Sequence, residues 1–373
     1  MDPSFEGFSV AMKFYVRPEP SQYTARGTRG TVDQKTKMHH DIASTLQSAG
    51  LNALYRAESE DDADQTLRLW KPAHGTDKPE EVKGIKEASH WIVSDFLHFG
   101  NVGVSWIPVE LRSPVAGEAL AKDSYRDITK ALDTIQSSFG ERLRLTRACR
   151  LPVYIPVEQS LAVDFIKRLV TLVSVLDASL LYSLISPERR TALSPLLSSA
   201  RFARFPIRSS DKDALRNENL DSLAPDFVAA NREKLVRLWN STSVDNLNWL
   251  LGAIPILGPE VGLRFIHEHY DGMKMESIQF NHAQASFDVN FVTAWLDVVL
   301  RIAVAATLPM PLFSGLLDKL WSEITKPTED TSHRVSKLLE WLEKYTSRLK
   351  TTTQAQDWQE LIERCQCDKD PKI

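Results

Sequence analysis

Phe8-Ser9-Val10-Ala11-Met12-Lys13-Phe14-Tyr15-Val16-Arg17 is the stretch from which the rest of the chain can be read. Val10, Met12, Phe14 and Val16 alternate with Ser9, Ala11, Lys13 and Tyr15. Successive side chains of a strand point to opposite faces, so this period of two predicts a strand whose even-numbered face enters a core. Pro18 and Pro20 close it, because proline cannot donate to a sheet ladder. Working outward, residues 18–37 read as a mobile polar loop. A helix is expected over His39–Ala49, with Ile42, Leu46 and Ala49 on one side and Gly50 as its cap. A second strand over Leu51–Glu58 leads into a loop over 58–85, which holds the acidic run Glu58–Asp64.

Short strands are expected over His90–Asp95 and Val104–Leu111, split by the turn Gly100–Gly103. Ile128, Ala131, Leu132, Ile135 and Phe139 are spaced as on an amphipathic helix over Ser124–Phe139. Leu145–Val157 reads as extended. Leu161–Leu184 reads as one long core helix, and Pro225–Trp239 as a helix. Ser277–Asn281 is a further strand. Asp288–Thr307, Leu312–Thr325, His333–Leu349 and Gln354–Cys365 are helices. Early strands mixed with helices, followed by a helical second half, define an α+β class: a curved antiparallel sheet with helices on its outer face. One domain is expected over 1–310, with the C-terminal helices of 311–373 packed on it.

The 373 residues carry 45 Lys+Arg against 49 Asp+Glu, so the formal charge of -4 leaves no bulk footprint for nucleic acid. Three cysteines make no disulfide framework in a chain of this length. No basic segment followed by an apolar one opens the chain, and a cytoplasmic protein is expected. Leu161–Ile185 and Phe291–Met310 are the most apolar stretches. The first holds Asp164, Lys167, Arg168 and Asp177, and the second holds Asp297 and Arg301. Charges there would be costly in lipid, so both read as core helices and no membrane span is expected.

Several motifs in order carry a resemblance. They are Phe8–Phe14, Trp91-Ile92-Val93-Ser94-Asp95, Val109-Glu110-Leu111-Arg112-Ser113-Pro114, Cys149–Tyr154, Pro187-Glu188-Arg189-Arg190 and Ile278–Ser286. Together they resemble the fungal amidoligase family of the glutamine synthetase / glutamate–cysteine ligase superfamily, over about Phe8 to Thr307. The resemblance implies a ligase-like sheet whose polar face binds Mg-ATP through carboxylates. It also implies chemistry in which an amine attacks an acyl phosphate. The departures are selective. Ala11 and Lys13 stand where the family has two Glu, Pro152 and Tyr154 where it has two His, and Gln279 and Asn281 where it has Glu and Arg. Only Glu110 and Asp95 keep acidic character. Each replaced pair shares one strand face, while Val10, Met12, Leu151, Val153, Ile278 and Phe280 stay apolar.

The favoured expectation is therefore a repurposed pocket with no metal and no cofactor. It would be an isomerase or cyclase, one option being a pericyclic step, acting on a largely apolar small molecule in fungal secondary metabolism. Lys13, Glu110, Tyr154 and His282 are the expected catalytic residues. Ala11, Asp95, Trp106, Pro152, Gln279, Asn281 and Gln284 are the expected substrate contacts. Lys13, Glu110, Tyr154, Asn281 and His282 are expected to converge. A non-catalytic binding or scaffold protein is the alternative, and an active ATP-dependent carboxylate–amine ligase the second. The oligomeric state stays open, with Val335, Leu338, Leu339, Leu342 and Tyr345 serving either a core or a homodimer contact. Other candidates are weaker. His267-Glu268-His269 lacks the second His of H-E-x-x-H, and Cys365-Gln366-Cys367 has no partner pair. His39-His40 reads as exposed, Cys149 has no His to activate it, and Arg201, Arg204 and Arg208 read as a solvated face.

Overall fold

The computed structural model describes residues 7–19, 30–58, 67–72, 80–82, 89–96, 105–117, 121–146, 149–157, 162–191, 193–204, 218–251, 260–270, 273–327, 330–347 and 349. The strands are β1 (Ser9–Val16), β2 (Ala53–Glu58), β3 (Leu67–Lys71), β4 (Glu80–Glu81), β5 (Trp91–Ser94), β6 (Ile107–Arg112), β7 (Leu143–Arg144), β8 (Val153–Val157), β9 (Leu193–Ser194), β10 (Glu260–Val261), β11 (Leu263–Tyr270) and β12 (Met273–Phe280). The helices are α1 (Gly30–Ser48), α2 (Ala121–Phe139), α3 (Ala162–Leu176), α4 (Pro187–Arg190), α5 (Leu196–Ser199), α6 (Arg201–Arg204), α7 (Glu218–Asp221), α8 (Pro225–Asn240), α9 (Val244–Leu251), α10 (Val289–Ala306), α11 (Met310–Thr325) and α12 (Thr331–Tyr345). The class is α+β.

A ten-stranded sheet runs β11-β12-β8-β1-β6-β5-β2-β3-β4, with β7 also pairing β1. β1 therefore sits inside the sheet and is buried on both faces, apart from the partly exposed Lys13. The sheet is mixed, not antiparallel throughout: β2 runs parallel to β5, because β3 and β4 hairpin onto its outer edge before the chain returns. Strands β3, β4, β7, β9, β10 and β11 were not expected. Arg264, His267, Glu268 and His269 break any clean alternation in β11.

One face of the sheet is covered by helices. α1 packs on β2, β5 and β6, and α10 packs on β8, α2, α3 and α12. Apolar burial between these layers is the main force holding them together. Phe14 meets Phe287 edge-on at 5.5 Å, and Phe8 meets Tyr125 of α2 at 6.4 Å. α1 begins nine residues before the expected His39, since its first turns are polar and carry no apolar stripe. Lys35 in those turns forms an ion pair with Asp95 beyond β5. His39 is buried, not exposed, with its ring 3.4 Å from the Pro108 carbonyl.

The long helix expected over Leu161–Leu184 ends at Leu176 and resumes as a 3₁₀ turn over Leu181–Leu184. Asp177 stands at the break, where its carboxylate accepts from the Leu196 backbone N–H at 2.8 Å and faces His282. One described helix, α10, is long and apolar enough to cross a membrane, yet 83% of it is buried in the fold. Its two charges pair with each other, Arg301 Nε to Asp297 Oδ2 at 3.1 Å, as in a core helix. The expected helix Gln354–Cys365 and the Cys365–Cys367 pair lie outside the described residues.

Candidate functional site

The face of the sheet opposite the helices is built from odd positions of β1 and β12 and even positions of β5, β6 and β8. Strand register assembles it into rows. Lys13 lies beside Glu110, and Glu110 beside Ser94. On the other side the Lys13 backbone N–H donates to Arg150, at 3.0 Å. The next row runs Ile92, Arg112, Ala11, Pro152 and Asn281. A third runs Ser9, Tyr154, Gln279 and Arg264.

Lys13 Nζ lies 3.0 Å from Glu110 Oε2, with 21% and 15% of the side chains exposed. The pair is thus largely shielded from solvent without being sealed from it. Lys13 also lies over the Phe96 ring, 5.5 Å from its centroid. Tyr154 accepts from Gln279 Nε2 at 3.0 Å, and Gln279 accepts from Asn281 Nδ2 at 3.2 Å. Arg112 stacks on the Tyr154 ring at 4.0 Å and donates to Ser9 at 3.4 Å. Ala11 is fully buried between these groups and Pro152 is buried beside it.

Four expected residues stand apart from the Lys13–Glu110 pair. His282 follows Phe280 onto the helical side. Its fully buried ring sits 3.1 Å from Asp177 and 6.0 Å from the Trp295 ring centroid. It does not converge with Lys13 and Glu110, because Asn281 and His282 are successive residues and point to opposite faces. Asp95 likewise follows Ser94 onto the side of α1. Trp106 shares the face with Glu110 but stands at its far end, between Arg17 and Arg144, each 5.5 Å from the ring. Gln284 lies past β12, where its side-chain carbonyl accepts from the Ser186 N–H at 3.3 Å. Cys149 is buried, and burial pushes its thiol up, so it is a poor nucleophile. Arg201 stacks on the half-exposed Trp249 ring at 5.2 Å, apart from this face.

The residues present do not fit the Mg-ATP that the resemblance implies. Mg²⁺ demands several oxygen ligands in octahedral array. Glu110 is held by Lys13, and among the described residues no three His, Cys, Asp or Glu gather as a metal site.

The face also holds cations that were given no role, although Arg112, Arg150 and Arg189 lie inside the quoted motifs and only Arg264 does not. Arg112, Arg150 and Arg264 belong to its rows, and Arg189 of α4 closes over its end. Arg189 donates from Nη2 to the Asn281 carbonyl at 2.7 Å and from Nε to the His282 carbonyl at 3.3 Å. Burial, reinforced by Arg150 and Arg264, pushes Arg189 down to about 9. Burial lowers Arg150, and burial with Arg150 lowers Arg264. Period two alone places Arg112 with Glu110 and Arg150 with Tyr154, so two of these were open to sequence reasoning. Arg264 was not, because β11 was not recognised as a strand. No family model matches the chain, and no curated protein matches it either.

Proposed function

We propose that the face around Lys13 and Glu110 is the reaction chamber of a cofactor-free isomerase or cyclase. It acts on a small molecule, on a scaffold related to the carboxylate–amine ligases. The observation that carries this reading is the 3.0 Å Lys13–Glu110 pair, shielded and in register on the face where the family's carboxylates would stand. Such a pair supplies a base and a cation to one reacting group. Glu110 removes a proton from a carbon beside a carbonyl, and the Lys13 ammonium stabilises the negative oxygen that forms. Returning the proton from Glu110 to a different carbon completes an isomerisation with no net change in mass. Ala11, Pro152 and Ile92 are buried between the polar rows, so a substrate would meet the polar side chains around them. With the family resemblance, this reading places the protein in the cytoplasm, in fungal secondary metabolism.

A specific observation favours a second reading, that of a non-catalytic binding protein. Tyr154, Gln279 and Asn281 are nearly buried and bond to one another, as a purely structural polar layer would. The test is to incubate the purified protein with pools of unsaturated small metabolites, without nucleotide and with chelator, and follow products by chromatography and mass. The expected outcome is a new peak of unchanged mass, formed at least ~100-fold more slowly by Glu110→Gln. The Glu110→Gln variant should unfold within a few degrees of the wild type. No conversion by the wild type would leave the binding reading in its place. A Mg-dependent thermal shift with ATP would return the ligase reading.

A further inference from the structure

On the helical side of the sheet, His282 stands in a polar centre that the chemistry of the opposite face does not use. We propose that His282, Tyr182 and Trp295 form a binding site for one internal water molecule and hold it by hydrogen bonds. The inference is independent of the reading of the Lys13–Glu110 face.

Three elements meet at one ring. His282 follows β12, Tyr182 belongs to the 3₁₀ turn over Leu181–Leu184, and Trp295 belongs to α10. The fully buried His282 ring meets Asp177 through Nε2, at 3.1 Å. Its other nitrogen, Nδ1, takes no hydrogen bond among the described residues. The Trp295 ring centroid lies 6.0 Å from that of His282, and the Tyr182 ring centroid 6.5 Å. The Trp295 Nε1 and the Tyr182 hydroxyl are also buried without a hydrogen-bond partner among the described residues. Buried polar atoms are nearly always bonded, and each one left alone costs free energy. Three such atoms around a single ring therefore point to one shared partner. An internal water makes about three hydrogen bonds to groups of this kind, the number on offer here.

The donors and acceptors decide what the partner is. An indole N–H only donates, and a hydroxyl does either. With the Nε2 proton directed at the Asp177 carboxylate, Nδ1 of a neutral imidazole only accepts. A cation would be turned away by the Trp295 N–H. An anion would face the Nδ1 lone pair and the Asp177 carboxylate. Water meets all three demands: it accepts from Trp295, donates to His282 Nδ1 and bonds to the Tyr182 hydroxyl. Bound there, it fixes the His282 tautomer that donates to Asp177. It also ties the end of β12, the break after α3 and the core helix α10 into one network.

The test is a high-resolution crystal structure of the wild type, together with thermal unfolding of Tyr182→Phe. The expected structure holds one water within hydrogen-bond distance of His282 Nδ1, Trp295 Nε1 and the Tyr182 hydroxyl. Tyr182→Phe keeps the ring and removes only the hydroxyl, so the fold should survive. Removing a hydroxyl that bonds to nothing would leave Tm unchanged or raise it. Removing one that helps to hold the water should lower Tm by a few degrees. A dry site, or a direct hydrogen bond between two of the three side chains in place of the water, overturns the proposal. So does a Tyr182→Phe variant that unfolds at or above the wild-type Tm.

Discussion

Gly262 shows how much one absent methyl can decide. It stands at the head of β11, and its carbonyl accepts from the Asn281 N–H at 2.6 Å. A Cβ there would lie 2.2 Å from Nε2 of His282, far inside contact distance. The glycine is therefore required by close approach, which lets the His282 ring reach Asp177 through the helical side of the sheet. Because that ring is fully buried, it has little room to yield. Gly262→Ala should lower stability by about 1–3 kcal/mol, the usual cost of overfilling a packed site. Chemical denaturation would check it, and a wild-type midpoint would show that the ring moves freely. Glu110→Gln is the contrast. Its ion pair is partly exposed, so the change should cost at most ~1 kcal/mol of stability while removing the proposed base. Sequence alternation placed Lys13, Glu110, Tyr154, Gln279 and Asn281 on matching faces correctly. The same alternation, applied one residue further, would have put His282 and Asp95 on the opposite side. Their polarity suggested a site, and the parity of their positions decided against it.

Among the elements, α10 shows what an apolar helix does with its charges. Asp288 caps its start by accepting from the Asn290 and Phe291 N–H groups at 2.9 and 3.3 Å. Arg301 binds Asp297 one turn away and donates from Nη1 to Thr346 at 3.2 Å, tying α10 to the end of α12. Both charged residues are almost wholly buried. Arg301→Met leaves Asp297 buried without its cation and should cost about 3–5 kcal/mol. The loss would be read by urea unfolding. A cost under ~1 kcal/mol would mean that water replaces the guanidinium. The existence of α10 was legible from its composition, and its charges spoke against lipid. Their spacing of four already put them side by side on the helix, but that Arg301 also docks α12 could not be read before the two helices were seen together. α3 is the opposite case. Its apolar pattern resumes beyond Asp177 at Leu180, Leu181 and Leu184, yet the helix ends at Leu176, and Asp177 at the break serves partners at residues 196 and 282 that sequence spacing does not reveal.

At the scale of the whole molecule, burial sets a response to alkali. Burial pushes Tyr15 up to about 12, with Cys149 and Asp95 adding to it. Tyr55, Tyr125 and Tyr182 are also raised, chiefly by burial. The native values lie above the ordinary tyrosine value near 10. Unfolded tyrosines therefore release protons that the native state keeps, and stability falls as pH rises from about 10 through the native values, being fully present below 10. Absorbance titration of phenolate should show at least four of the eight tyrosines ionising late, together with unfolding. A single smooth transition near 10 for all eight would contradict this packing. By itself the amino-acid sequence determined which residues alternate on each strand, which helices enter a core and where Lys13 and Glu110 stand on their strands, because these follow from local periods and short-range sterics. Only the tertiary structure decided the mixed strand order and the meeting of Lys13 with Glu110. It also sent His282 to Asp177 and brought guanidinia from positions 150, 189 and 264 to one end of a face. Those outcomes depend on register between segments far apart in the chain, and register is set by the packing of the whole sheet against its helices.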